Sequence, residues 1–364
     1  MAGGLERAYE VRDRCDRFLA SHPRRTTGAI LADLTEYAGD RMADLYAEGE
    51  LIESLEGRVA GLLGTEAAAF FPSGTMAQQA ALRVWSEKTG VDTVALHPLS
   101  HIDHDELRAV WELHRLRPLM LNQERRQPSV ADLAALPERV GTLVVELPLS
   151  LAGHVLPTWE ELTALCAAAR EREAIVHFDG ARLWESTPRL GHALADVAGL
   201  ADSVYVSFYK SLGAISGAAV AGPSGFIDAT RRWRRRHGGT LFTQFPALIS
   251  AHRALDITLP RIPLYVEHAR DLAVALTALD RVRVHPDPPD TNAFRIYVEA
   301  DDEALTEAVL EHAEQHKVWT WAKFWPAEVP GWSFVELTVA ESTMGWQPDE
   351  VASLIGELLA LTAP

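Results

Sequence analysis

The chain has 364 residues, 48% of them hydrophobic, and a formal net charge of −17. That length exceeds one average domain and falls short of three, so one large and one small domain are expected. The acidic balance excludes a general affinity for nucleic acid phosphates, and Cys15 and Cys166 are too few and too far apart for a disulfide scaffold or a metal knuckle, which points to a reducing compartment.

The N-terminal stretch MAGGLERAYEVRDRCDRF is charged from the outset, and no segment reaches the roughly 18 uninterrupted apolar residues of a membrane span. Neither export nor a membrane span is expected, and the location is read as cytoplasmic. Residues 1–55 read as helical and turn-rich without a strand, a segment expected to pack on the small domain or on a partner subunit. From 56 to 258, β-rich runs alternate with helical stretches: AAAFF (67–71), TVALH (93–97), TLVVEL (142–147), AIVHFD (174–179), SVYVSF (203–208) and GAAVAG (217–222). Such alternation predicts an α/β domain on a mainly parallel sheet with helices on both faces. One of those helices, TWEELTALCAAAREREA, opens with Thr158 and Glu161 at capping-box spacing. The run RRWRRR (231–236) opposes the overall charge, and a solvated or subunit-contacting helix explains it better than a nucleic acid site. From 259 to 364 the order helix, strand FRIYVEA, helix, strand SFVELTV, helix predicts a small α+β domain.

Three segments stand where strands end, the place at which open α/β sheets collect ligands. In FFPSGTMAQQAAL, the turn Ser73-Gly74-Thr75 leads into a helix whose N–H groups and hydroxyls suit a phosphate, or serve only as a cap. In AIVHFDGARLWES, Asp179 ends a buried-type strand just before Arg182. A carboxylate there can hold a pyridine nitrogen protonated and strengthen an electron sink, or it can cap the next helix. In SVYVSFYKSLGAISGAAVAG, Lys210 follows an apolar strand and precedes small, Gly-rich backbone, a setting that lowers an amine's pKa and favours Schiff-base formation.

Taken in order, these segments resemble the threonine aldolase group of the β-eliminating lyase family, within the fold-type I pyridoxal phosphate enzymes. The similarity covers about residues 45–245. It implies a fold-type I, transferase-like α/β architecture with a large domain on a mainly parallel mixed sheet and a small α+β C-terminal domain. It implies pyridoxal 5'-phosphate as cofactor, with Ser73, Gly74 and Thr75 at the phosphate, Asp179 at the ring nitrogen and Lys210 at the aldehyde carbon. Arg182 would face the substrate carboxylate or the ring oxygen, His101 of LSHIDHDELRAV the face of the ring, and Glu146 the substrate. No metal is implied. The expected partner is an amino acid substrate, with each active site at a homodimer or homotetramer interface.

Departures accompany the likeness. No Ser-Asp-Thr segment opens the chain. Glu146-Leu147-Pro148-Leu149 stands where the family has Glu-Asn-Thr-His, so the histidine near the substrate hydroxyl is missing. Phe242 and Thr243 stand near a family arginine, and Glu336 near the arginine that clamps the substrate carboxylate, a role that Arg295 could take over. The expected reaction is aldol or retro-aldol cleavage of a β-hydroxy amino acid other than ordinary threonine, with Lys210, His101 and Asp179 catalytic. The alternatives are β-elimination on a bulkier amino acid and a catalytically silent relative.

Overall fold

A computed structural model describes residues 2–362. Residues 25–261 form one compact unit, and residues 2–24 join 262–362 in the other. Among the described residues no helix is long and apolar enough to cross a membrane.

The larger unit is built on a seven-stranded sheet, in the order Ala67–Phe71, Ala218–Gly222, Ser203–Ser207, Ile175–Gly180, Thr142–Glu146, Thr93–Leu96 and Arg117–Met120. The central strands are Val-, Ala- and Phe-rich without alternation because both faces are covered, and they are buried along nearly their whole length. Helices Gly74–Thr89 and Trp159–Glu171 are among those that flank the sheet. The second has the anticipated capping box: the Glu161 N–H donates to Thr158 Oγ1 at 3.2 Å and the Thr158 N–H to Glu161 Oε2 at 2.8 Å.

The outermost strand, Arg117–Met120, was not anticipated. It reads RPLM and is exposed at its start; only an edge position tolerates Pro118, which has no N–H to give a ladder. The opposite edge, Ala67–Phe71, is sealed by side chains. The Phe70 N–H donates to Glu56 Oε1 at 2.8 Å, Arg231 Nη2 to Glu56 Oε2 at 2.6 Å and to the Ala68 carbonyl at 3.0 Å, and Arg234 Nη1 to the Phe70 carbonyl at 2.5 Å. Two arginines of the basic run thus cover open backbone groups of an edge strand.

The smaller unit carries an antiparallel sheet in the order Trp325–Pro326, Ser333–Thr338, Ala293–Val298 and Val282–His285, with helices Ile262–Thr277, Asp302–His316 and Pro348–Leu361. The N-terminal region is not strand-free as anticipated: Arg17–Phe18 pairs in parallel with Val318–Trp319. Two residues are too short a run to leave a periodic trace. Arg295 lies opposite Glu336 in this sheet, and its Nε and Nη2 both donate to Glu336 Oε1 at 3.0 Å.

Candidate active site

Strand direction decides which side chains meet. Ala67–Phe71 is antiparallel to Ala218–Gly222, which is antiparallel to Ser203–Ser207, so the first strand points the same way as the parallel set. The carboxyl ends of five strands therefore lie on one side of the sheet, and they lead to Ser73-Gly74-Thr75, His101, Glu146, Asp179 and Lys210. Glu146, Asp179 and Tyr205 occupy one register row across three adjacent strands.

Asp179 is buried, and its Oδ1 accepts the Ala181 N–H at 3.2 Å. No side chain among the described residues donates a hydrogen bond to it. Burial pushes this carboxyl up to about 7, the Glu146 carboxylate adds to the rise, and Lys210 and His101 oppose it. Lys210 is partly buried, and burial and the Arg182 guanidinium lower its pKa against the pull of Asp179, Glu146 and Glu185. Its amine makes no hydrogen bond or ion pair within the described residues.

Glu146 spends both carboxylate oxygens on backbone: Oε2 accepts from the His101 N–H at 2.8 Å and Oε1 from the Ser150 N–H at 3.1 Å. It thereby fixes the start of the His101 turn and the loop after its own strand. The imidazole of His101 has Nδ1 at 3.4 Å from Glu106 Oε1, a contact that raises its pKa, and Gln79 Nε2 holds the other Glu106 oxygen at 2.8 Å. Arg182 donates from Nη1 to Ser150 Oγ at 3.0 Å. The turn between Asp179 and Arg182 is pinned by Ser207, whose hydroxyl donates to the Ala181 carbonyl at 2.6 Å.

Ser73 caps the helix Gly74–Thr89, its Oγ accepting the Met76 N–H at 3.3 Å. Gly74 admits no side chain, because a Cβ there would lie 2.1 Å from the Tyr205 hydroxyl and 3.3 Å from that of Tyr209. Thr243 Oγ1 and the Gln244 N–H both donate to Asp44 Oδ1, at 3.1 and 2.7 Å. Sequence reasoning passed over Tyr205, Glu185 and Ser211. Glu185 is buried and accepts a short hydrogen bond from the Ser211 hydroxyl, and the visible signal was one acid inside the apolar turn LWES.

A pyridoxal phosphate molecule fits this donor set. Asp179 is a buried carboxyl without a cationic hydrogen-bond partner, Lys210 a free amine with a lowered pKa, and Gly74 a helix start without a side chain, approached closely by two tyrosine hydroxyls.

The model of the beta-eliminating lyase family matches residues 25–301. The chain belongs to that family. Two crystal structures are similar along nearly its whole length. One is of an Exiguobacterium protein named for aromatic amino acid beta-eliminating lyase and threonine aldolase, 32% identical with TM-score 0.91 over 98% of this chain and 99% of that one. The other is of a Listeria monocytogenes protein named for L-allo-threonine aldolase, 30% identical with TM-score 0.90 over 99% of both. The low-specificity L-threonine aldolase of Candida albicans is 26% identical over 63% of each chain, so the match spans less than two thirds of that relative. The chain is threonine aldolase-like, and its fold is the fold-type I architecture, whose members use pyridoxal phosphate.

Proposed function

We propose that this chain is a pyridoxal phosphate-dependent carbon–carbon lyase that cleaves or forms the Cα–Cβ bond of a β-hydroxy amino acid other than ordinary threonine. The observation that carries this reading is the convergence of Asp179 and Lys210 at adjacent strand ends, with Gly74 at a third. When bound, the cofactor supplies an electron sink for the charge that develops at the substrate carbon. The residues themselves act by position. Ser73, Gly74 and Thr75 would hold the phosphate at a helix N-terminus, and Lys210 would present its amine to the aldehyde carbon. Asp179, already short of a cation, would keep the ring nitrogen protonated. Arg182 would meet the substrate carboxylate, while His101, steered by Glu106, would cover the ring and take the hydroxyl proton. Glu146 acts through the two backbone N–H groups it holds.

Leu147, Pro148 and Leu149 follow Glu146 in the chain and are buried, which supports an apolar setting on that side of the site. This favours a bulkier side chain than threonine's and keeps β-elimination as a second reading. Product analysis separates them: glycine plus an aldehyde supports aldol cleavage, and pyruvate plus ammonia supports elimination. Absorbance spectra of wild type and Lys210→Ala, before and after borohydride, test the cofactor itself. A band fixed by borohydride onto the Lys210 peptide and missing in the variant is expected. Its absence in wild type supplied with cofactor would leave a silent relative as the better reading.

The working unit is proposed to be a homodimer or a pair of dimers. Support comes from Met42, Leu45, Tyr46, Leu241, Phe242 and Phe245, large apolar side chains exposed on two neighbouring stretches of the larger unit.

A further inference from the structure

We propose that Glu185 is a positioning residue for Lys210: its carboxyl anchors the lysine's loop through Ser211 and stands as a buried counter-charge to the ammonium. The inference rests on Lys210 being the reactive amine. Glu185 closes the short turn Leu183–Glu185, and Leu183, Trp184 and Glu185 are all buried. Its Oε1 accepts the hydroxyl of Ser211, the residue after Lys210. Its Oε2 has no hydrogen-bond partner among the described residues.

A carboxyl in such a place is costly, because burial disfavours its charged form. Burial indeed pushes Glu185 up to about 7, against the pull of the Ser211 hydroxyl, Arg182 and Lys210. A tether for Ser211 alone asks only for an acceptor, which an amide supplies without that cost. What an amide lacks is charge. The charged groups acting on Lys210 are Arg182 and, when protonated, His101, which oppose its protonation, and Asp179, Glu146 and Glu185, which favour it. Glu146, hydrogen-bonded to two backbone N–H groups, keeps its charge and favours the ammonium as well, and Asp179 is the group assigned to the ring nitrogen. Glu185 adds a third carboxyl, and it is the one tied through Ser211 to the lysine's own loop, placed to answer the ammonium whenever Lys210 is released by a substrate amine.

Cofactor-free protein gives the test. Wild type, Glu185→Gln and Ser211→Ala are acylated at lysine across a neutral-to-alkaline pH series, and labelling of the Lys210 peptide is followed by mass spectrometry. Glu185→Gln keeps an acceptor for Ser211 and, having lost a buried carboxyl of raised pKa, should melt no lower than wild type, with the Lys210 midpoint shifted down. Ser211→Ala keeps the charge and should move the midpoint less while loosening cofactor retention. An unchanged midpoint in folded Glu185→Gln overturns the proposal. Should that variant not fold, Glu185→Leu removes the same charge and must show the same fall. If wild-type Lys210 is trapped with cofactor but its midpoint ignores Glu185, this inference fails alone. If wild type is never trapped, the functional reading fails whatever Glu185 does.

Discussion

Asp179 stores a pH dependence that is opposite to that of a surface carboxylate. Its pKa is raised in the fold, so between an unfolded value near 4 and about 7 the folded chain binds the extra proton. Asp179's contribution to the stability of the cofactor-free protein is then full below pH about 4 and is lost as pH rises from there through about 7, where the buried group ionises. Asp179→Asn removes that loss. The cofactor-free variant is expected to exceed wild type at pH about 8 by on the order of 1–3 kcal/mol, with the difference vanishing near pH 4. Thermal melts at the two pH values check this, and a variant no more stable than wild type at the higher pH would show that Asp179 is not held neutral. The same variant should lose nearly all turnover. Gly74 offers a second test at this scale. Gly74→Ala drives a Cβ into the Tyr205 hydroxyl, and Gly74→Ala with Tyr205→Phe removes the oxygen it meets. The double variant should recover part of the melting temperature lost by the single one, and no recovery would place the strain elsewhere.

Among the elements, the edge strand Ala67–Phe71 depends on one acid. Glu56 accepts from the Phe70 N–H and holds Arg231 and Arg234, the latter buried. Glu56→Ala leaves the buried Arg234 guanidinium without its counter-charge and the Phe70 N–H without its acceptor, and is expected to cost about 3–5 kcal/mol, against within about 0.5 for Arg232→Ala on the exposed face of the same helix. Denaturant unfolding followed by tryptophan fluorescence measures both, and equal effects would refute the clamp. This strand also marks the limit of what the sequence discloses. The strands of the large sheet that are buried on both faces read as unbroken apolar runs, whereas Arg117–Met120 carries an arginine and a proline that only an edge permits. Lys210 and Asp179 were legible because a charge at the end of an apolar run is conspicuous. Glu185 was not, because its partner Ser211 lies 26 residues away and no local period connects them. The arginines of the basic run looked like surface charge for a similar reason: the groups they satisfy, Glu56, Ala68 and Phe70, are at least 163 residues away.

For the whole molecule, the exposed apolar side chains near Tyr46 and Phe242 bear on assembly. These rings meet edge to face with centroids 5.4 Å apart, and Phe242 remains 63% exposed. If the proposed dimer forms through this surface, Phe242→Asp is expected to shift the protein toward monomer in light scattering while leaving its melting temperature within a few degrees; an unchanged mass would refute a subunit contact here.

The position of Ala218–Gly222 in the sheet sets an order on synthesis. This strand lies between the one that leads to Gly74 and the one that leads to Lys210, although it follows both in the chain. A nascent chain that has reached Lys210 therefore already contains the helix start and the amine, but not the strand whose hydrogen bonds join their two strands in the sheet. Until Ala218–Gly222 has been made, that ladder is incomplete, and a half-made polypeptide presents the helix start and the amine without the sheet that joins them.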